Sequence, residues 1–230
     1  MAKKALLLGS IGAIAETSDI QRRAYNQALR EHDVEWQWDK DTYAQLLGQA
    51  GGKERLTLLA KATGANLSED KIDAIHKRKT EIACEEVRSS SDVIRPGVAA
   101  LVRKAKEEGM KLGFVTTTYR PNVDAVLASA NGAISADDFD VIVVRDDVES
   151  GKPAPDAYEK ALRALGVKPE EAIAIEDTEN SVAAARRAGV EVVATRGAFT
   201  ADQDVSQADL VLQSLDNGSG LDPQLLDRIA

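Results

Sequence analysis

The sequence contains a single cysteine, Cys84, among its 230 residues. One cysteine cannot form an internal disulfide bond, a pattern typical of proteins in a reducing compartment, so we expect a cytoplasmic protein. The chain also has only two histidines, His32 and His76, which lie far apart in the sequence. One cysteine and two separated histidines argue against a zinc site built from the usual nitrogen and sulfur ligands.

Basic residues are outnumbered, with 29 Lys and Arg against 38 Asp and Glu and a formal net charge of −9. Nucleic acids and anionic membranes are bound through clusters of Lys and Arg, so we expect neither as a partner. The apolar runs extend for a few residues only, far short of a bilayer span. The segment up to Gly9 has too short an apolar run for a signal peptide and lacks a cleavage site of small residues.

Six short apolar runs predict β-strands. Because apolar and polar residues alternate little within them, these runs suit a parallel sheet that is buried on both faces. Helical patterns separate the runs in the second half of the chain, and this repeated β-α order predicts an α/β fold with a doubly wound parallel sheet. The predicted strands cover residues 5–8, 111–115, 141–144, 172–175, 190–194 and 208–212.

The stretch from about residue 15 to 94 shows four helical patterns and no convincing strand. It begins after Gly12 and ends at Arg95, which precedes Pro96-Gly97. We predict a helical cap of residues 16–94 inserted into an α/β core of residues 1–15 and 95–230. The alternative is a packing layer of one single domain, but about 80 residues is long for a connection between two strands.

Polar side chains follow three of the predicted strands, at the sheet edge where open parallel sheets bind ligands. Thr116 and Thr117 follow the second strand, Lys152 follows the third, and Glu176 and Asp177 follow the fourth. Hydroxyl groups can hold phosphate oxygens, a lysine neutralises phosphate charge, and paired carboxylates can hold Mg²⁺. Each signal alone also fits a turn, a loop or a solvated acid pair, whereas their order and spacing together are more specific.

That order resembles the haloacid dehalogenase (HAD) superfamily of phosphotransferases. It most resembles the branch of sugar-phosphate phosphatases and β-phosphoglucomutases with a helical cap, which includes the CbbY-type xylulose-1,5-bisphosphate phosphatases. The resemblance covers nearly the whole chain and implies a HAD-like, Rossmann-like core with an inserted helical cap. It also implies that Thr116, Thr117 and Lys152 bind phosphate and that Glu176 and Asp177 bind the metal.

The predicted cap resembles this branch as well. Residues 22–26, 51–55 and 76–80 are similar to CbbY-type cap segments. In that group the Gly-Gly-Lys-Glu-Arg loop faces the substrate, so the resemblance assigns Gly52, Lys53 and Arg55 to substrate binding.

The end of the first strand departs from the family pattern. The family motif is Asp-x-Asp-Gly-Thr, whereas this chain reads Gly9-Ser10-Ile11-Gly12-Ala13. The resemblance implies that the first acid attacks phosphorus and the second acts as general acid and base. Gly9 and Ile11 stand at those two positions and supply neither group. Ser10 is expected to face away, since successive side chains of a strand point to opposite faces, and Glu16 lies in the hinge beyond the strand.

Three hypotheses of function follow. The first is a catalytically impaired phosphatase homologue that retains a phosphate or phosphosugar cleft. The second is an active hydrolase of small phosphate esters that uses another nucleophile, or water activated by Glu176 and Asp177. The third is an interaction protein with a vestigial pocket. We favour the first two, because the motifs around Gly9 and Ile11 are intact, and we expect a small phosphorylated metabolite as partner and weak or absent Mg²⁺ binding.

For the other notable residues, the sequence favours structural roles over functional ones. His76 and the basic residues 77–79 predict a solvated face of the cap, with binding of a second phosphate as the alternative. Cys84 is predicted to be a small core residue, and Trp36 and Trp38 are predicted to pack within the cap.

Overall fold

In the computed structural model, which describes residues 3–48 and 51–229, six parallel strands form one sheet. The strands are β1 (Ala5–Leu8), β2 (Lys111–Val115), β3 (Val141–Val143), β4 (Ala172–Glu176), β5 (Glu191–Thr195) and β6 (Leu210–Leu212). Their order across the sheet is β3-β2-β1-β4-β5-β6, so β1 lies between β2 and β4. The predicted α/β fold with a doubly wound parallel sheet is confirmed.

Strand β1 shows why these apolar runs form a buried sheet. Its alternate side chains belong to different hydrophobic clusters, with Leu6 and Leu8 in one cluster and Ala5 and Leu7 in the other. All four residues are buried. The lack of polar alternation in the sequence therefore reflects helices that cover both faces of the sheet.

The helices are α1 (Ser18–Glu31), α2 (Lys40–Leu46), α3 (Gly52–Thr63), α4 (Glu69–Ser89), α5 (Val98–Glu107), α6 (Arg120–Ser129), α7 (Asp156–Leu165), α8 (Glu179–Arg187) and α9 (Pro223–Ile229). Short 3-10 turns cover Ala136–Asp138, Arg145–Asp147 and Pro169–Glu171. Helices α5, α6 and α9 supply residues to the cluster on one face of the sheet, and α7 and α8 supply residues to the cluster on the other. No helix in the described ranges has both the length and the apolar character needed to cross a membrane.

Helices α1–α4 lie between β1 and α5 and have a hydrophobic cluster of their own. Trp38 packs at its centre, with ring centroids 4.8 Å from Tyr25 and 6.1 Å from Tyr43. Helix α4 packs against α1 and also against α6. Cys84 lies at the second contact and is buried, with its Sγ 3.8 Å from Oδ1 of Asn122.

The division into a cap of residues 16–94 and a core of residues 1–15 and 95–230 stays a prediction. The helical segment falls within the predicted cap, and the strands fall within the predicted core. Residues 1–2, 49–50 and 230 of those ranges lie outside the part of the chain that the structure describes.

Candidate functional site

The site begins at the carboxyl end of β1. Leu8 pairs with Phe114 of β2 and with Ile175 of β4, so the residues after these three strands share one edge. The N–H of Gly9 donates to the carbonyl oxygen of Ile175 at 3.0 Å, which continues the parallel ladder. The sheet order therefore places Gly9 beside the polar residues that follow β4.

The carboxylate of Glu176 occupies the space next to Gly9. A methyl group at Gly9 would lie 2.7 Å from the carboxyl carbon of Glu176 and 2.9 Å from its Oε1, closer than such atoms approach one another. Glu176 is 2% exposed, and its Oε1 accepts hydrogen bonds from the Lys152 ammonium and the Tyr158 hydroxyl. The missing side chain at position 9 thus leaves room for an acid that comes from the neighbouring strand.

Lys152 is held at this edge by two acceptors. Its Nζ forms an ion pair with Glu176 and donates to the carbonyl oxygen of Val115 at 3.1 Å. The Lys152 side chain is only 10% exposed, so this ion pair is shielded from water. Lys152 therefore lies beside the end of β1, as the order of the motifs predicts, and Glu176 is its counter-ion.

Asp177 lies beside Gly12. A methyl group at Gly12 would lie 2.8 Å from Oδ1 of Asp177 and closer still to Oδ2, and the φ angle of Gly12 is +81°. Only glycine suits both the left-handed backbone and this close approach. Burial, together with the charge of Glu176, raises the pKa of Asp177 to about 8. This raised pKa disfavours the ionised form of Asp177.

The donors present do not form a good Mg²⁺ site in this arrangement. Mg²⁺ requires ionised oxygen ligands in near-octahedral geometry. Glu176 is already neutralised by Lys152, and the raised pKa of Asp177 disfavours its ionised form. Across residues 3–48 and 51–229, no group of three or more His, Cys, Asp or Glu side chains is placed to hold a metal ion.

The hydroxyl of Thr116 is engaged within its own turn, whereas Thr117 lies at an open space. Thr116 is buried, and its Oγ1 accepts the N–H of Thr118 at 3.1 Å while lying 3.2 Å from the Thr118 hydroxyl oxygen. The Thr116 hydroxyl thus stabilises its own turn. Thr117 lines the open space between the sheet edge and the helical segment. Phosphate binding by Thr116, Thr117 and Lys152 stays a prediction.

Two adjoining cavities, of about 190 and 180 Å³, separate the sheet edge from helices α1, α3 and α4. The larger is lined by Ile11 and Asp177 of the core and by Arg55, among others, and the smaller is lined by Lys53 and Lys152. Both cavities are lined by Gly51, Gly52, His76, Thr117 and Tyr119. We call these two cavities together the cleft.

Residues of the predicted substrate loop lie at this cleft. Lys53 forms an ion pair with Asp73 at 2.7 Å. Arg55 is buried, and its Nε donates to the carbonyl oxygen of Leu46 at 2.8 Å while its guanidinium lies over the ring of Tyr43. The cleft thus receives two basic residues from α3, although their role in binding a substrate stays a prediction.

The prediction of a solvated face was wrong for His76 and Lys79, which are only 7% and 6% exposed. Helix α4 packs against both α1 and α6, so its inward positions carry polar side chains towards the cleft. Burial, followed by the charge of Lys79, lowers the pKa of His76 to about 3. The prediction fits Lys77, which is exposed, and Arg78, whose Nε donates to Glu31 at 2.6 Å.

Sequence reasoning missed Tyr158 and Arg95. Tyr158 is fully buried in α7, and its spacing within an apolar helical pattern gave no sign that its hydroxyl reaches Glu176. Arg95 donates to Thr195 Oγ1 at 2.6 Å and to the Arg196 carbonyl oxygen at 2.7 Å, and it also donates to Gly12. Its place next to Pro96-Gly97 indicated only the end of the helical segment.

Comparisons with known proteins agree with this architecture. A family model described as haloacid dehalogenase-like hydrolase matches residues 6–189. The chain is 40% identical over 209 residues to the protein CbbY of Rhodobacter capsulatus, covering 91% of this chain and 92% of that protein. It is also similar to a crystal structure of a CbbY variant from Rhodobacter sphaeroides in complex with xylulose-1,5-bisphosphate, at 36% identity and a TM-score of 0.88, covering 95% and 97% of the two chains. A structure of CbbY from the same organism in complex with phosphate matches with the same identity and coverage and a TM-score of 0.87.

Proposed function

Because the chain belongs to the haloacid dehalogenase-like hydrolases and is similar to CbbY proteins, we propose that it is a catalytically impaired sugar-phosphate phosphatase homologue. It retains a cleft for phosphate or a phosphosugar. It hydrolyses phosphate esters slowly or not at all by the route that uses two acids at the end of the first strand.

The observation that carries this proposal is the arrangement around Gly9. The end of β1 offers no carboxylate, since Gly9 and Ile11 stand where the two acids of the family motif belong. The acid that enters this space, Glu176, is buried and engaged by Lys152 and Tyr158. A carboxylate that accepts two hydrogen bonds and faces an ammonium is a weaker nucleophile than a free one, because its negative charge is already stabilised.

The cleft supports retained binding of an anionic ligand. Its lining includes the basic side chains Lys53, Arg55, Arg145 and Lys152, in a chain whose formal net charge is −9. These residues come from both the helical segment and the sheet edge, so a ligand between them can contact both. The solved complexes of CbbY with xylulose-1,5-bisphosphate and with phosphate make a sugar phosphate the ligand class that we propose. A nucleic acid or a membrane is not part of the proposal.

Hydrolases of this family generally use Mg²⁺. In this chain we expect weak or absent Mg²⁺ binding, because the residues that the family pattern assigns to the metal are neutralised or disfavoured in their ionised form. Lys152 and the cleft residues, rather than a metal ion, would then supply the positive charge that holds a phosphate group.

Calorimetry of the full chain with inorganic phosphate and with xylulose 1,5-bisphosphate, in the absence of Mg²⁺, tests this proposal. We expect saturable binding to the unmodified protein and at least tenfold weaker binding to Lys152→Met, since one close charge pair contributes on the order of a kcal/mol or more. Lys168→Met is the matched control, because Lys168 is exposed and does not line the cleft. No binding to the unmodified protein would instead support an interaction protein with a vestigial pocket.

A second candidate function is an active hydrolase in which Glu176 itself attacks phosphorus. The observation in its favour is that the Glu176 carboxylate lies where a side chain at Gly9 would begin. The Glu176→Gln variant separates the two proposals. A surrogate nucleophile requires that this variant lose the turnover of the unmodified protein. Under the impaired proposal, residual turnover changes little and phosphate binding strengthens, because a negative charge is removed beside the anion.

A further inference from the structure

Lys79 in α4 is a buried amine at the cleft. It is 6% exposed, its Nζ donates to Oε1 of Gln21 at 2.9 Å, and it lies 4.9 Å from the ring centroid of Tyr25. No ion pair joins it to a carboxylate anywhere in residues 3–48 and 51–229, whereas Lys53 and Lys152 are each paired with an acid. Lys79 therefore differs from the other two lysines at the cleft.

The surroundings of Lys79 favour its neutral form. The groups that face it are Gln21 and Tyr25 from α1 and Arg55 from α3, with His76 and Cys84 on α4 itself. Burying an ammonium without a counter-ion is costly, and a nearby guanidinium increases that cost. Burial, followed by the charge of Arg55, lowers the pKa of Lys79 to about 7. A large share of this side chain is thus a neutral amine with a free lone pair at neutral pH.

The amine also has space in front of it. Lys79 lines the larger cavity of the cleft, whose volume is about 190 Å³. This cavity is bordered by the ring of Tyr25, the apolar side chain of Ile11 and the amide of Asn122. Its volume suits a molecule of a few carbon atoms. A desolvated amine in such a pocket is the setting in which lysines act as nucleophiles towards carbonyl groups.

We propose that Lys79 forms a reversible imine with a small open-chain hydroxyaldehyde or hydroxyketone that enters this cavity. The lone pair of Nζ forms a bond to the carbonyl carbon, and the C=O π pair moves to oxygen. One proton passes from nitrogen to that oxygen through water, which gives a carbinolamine. The nitrogen lone pair then forms the C=N bond, the C–O bond breaks, and the oxygen leaves as water with the second nitrogen proton. One carbonyl and one amine give one imine and one water, with no oxidant or metal.

This inference goes beyond the proposed function, because it requires neither a phosphate group nor an acid at the end of β1. If the cleft also binds phosphate, then open-chain sugar phosphates are the preferred carbonyl compounds, and that preference alone rests on the proposed function.

Reductive trapping with glyceraldehyde and sodium cyanoborohydride tests the inference on the full chain. Glu-C digestion leaves Lys77 and Lys79 in one peptide, so fragmentation of that peptide by tandem mass spectrometry gives the labelling rate of each lysine. At pH 7 we expect Lys79 to be labelled at least tenfold faster than Lys77, which is exposed on the same helix. The neutral fraction at a pKa of about 7 exceeds that of an ordinary lysine by about 10³-fold, and restricted access reduces this advantage. Lys79→Arg should abolish the fast label, and Lys77→Arg should leave it in place.

The pH profile of the unmodified protein gives an independent readout, which remains decisive if Lys79→Arg fails to fold. Both lysines react with the same reductant, so the pH dependence of the reductant drops out of the ratio of the Lys79 labelling rate to the Lys77 labelling rate. We expect this ratio to be constant below about pH 7 and to fall about tenfold per pH unit above it, because Lys79 is then fully neutral while Lys77 continues to deprotonate. A lysine that only holds Gln21 would label no faster than Lys77 and show no such break, which would overturn the inference.

The failure of this inference is distinguishable from the failure of the proposed function. Glyceraldehyde carries no phosphate, so absent phosphate binding in calorimetry leaves the trapping experiment unaffected. Conversely, absent trapping at Lys79 with intact phosphate binding would overturn the imine and leave the proposed function standing.

Discussion

At the scale of single residues, Gly9 decides which acid lies at the end of β1. Without a side chain at this position, the Glu176 carboxylate approaches the backbone and takes both Lys152 and Tyr158 as hydrogen-bond donors. The replacement of one residue is thereby coupled to the orientation of three others. The sequence showed that an acid is missing at Gly9, but it could not show which neighbouring side chain enters the space, because that depends on packing across strands.

The Gly9→Ala variant tests this close approach. Its methyl group would overlap the buried Glu176 carboxylate, so we expect a loss of about 1–3 kcal/mol in the free energy of unfolding, measured by urea denaturation. Gly151→Ala is the matched control, because a methyl group there would meet no atom within 4 Å. Equal stabilities of the two variants would contradict the placement of Glu176.

The burial of His76 predicts that the free energy of unfolding depends on pH. Its pKa is about 3 in the folded chain, where burial disfavours the charged ring, and about 6.5 when unfolded. Between these values the unfolded chain binds a proton that the folded chain does not, so this histidine makes the free energy of unfolding rise with pH, by on the order of 1 kcal/mol per unit. Lys53, Arg55, Asp73 and Lys79 are the charged groups that act on this ring.

Urea denaturation of the unmodified protein and of His76→Gln at pH 4 and pH 7 measures this contribution. The variant has no titrating ring, so its gain in stability between the two pH values should be smaller. An equal gain in both proteins would contradict the burial of a neutral His76.

At the scale of elements, the sequence predicted most of the fold because apolar periodicity reports burial directly. Each predicted strand is present, with ends that shift by up to two residues, as at β6, which begins at Leu210 rather than at residue 208. The error in α4 arose because this helix is covered by α1 on one side and α6 on another. Its inward face includes His76 and Lys79, which sequence patterns assign to the surface since buried basic residues are rare.

The side chain of Asn26 in α1 holds the segment before α2 through two hydrogen bonds. Its amide donates to the Trp38 carbonyl oxygen at 2.8 Å and accepts the Trp38 N–H at 2.8 Å, and Asn26 is buried. Asn26→Ala leaves the Trp38 N–H without this acceptor, while the Trp38 carbonyl oxygen keeps Arg22 as a donor, so we expect a loss of about 1–3 kcal/mol in the free energy of unfolding, measured by urea denaturation.

Gln27→Ala on the same helix is the matched control for Asn26→Ala. Gln27 donates to Glu31 at the surface, at 2.9 Å, so we expect a change within about 0.5 kcal/mol. Similar losses in the two variants would show that the Asn26 amide does not fix Trp38.

At the scale of the whole molecule, the site depends on strands that are distant in sequence and adjacent in the sheet. The order of motifs after β2, β3 and β4 was enough to predict that Lys152 lies beside the end of β1, since parallel strands end at a common edge. The hydrogen bonds of Tyr158 and Arg95 were beyond prediction, because they join residues far apart in the chain and follow no local pattern.

Steady-state hydrolysis of a sugar phosphate with Mg²⁺, compared between the unmodified protein and the Gly9→Asp/Ile11→Asp variant, tests the central claim most directly. We expect the unmodified protein to be slower by at least about 10²-fold, because it lacks both the nucleophile and the general acid, provided that Glu176 moves aside for the new side chain. Robust Mg²⁺-dependent turnover by the unmodified protein, abolished in Lys152→Ala, would contradict the claim and show that another residue acts as the nucleophile.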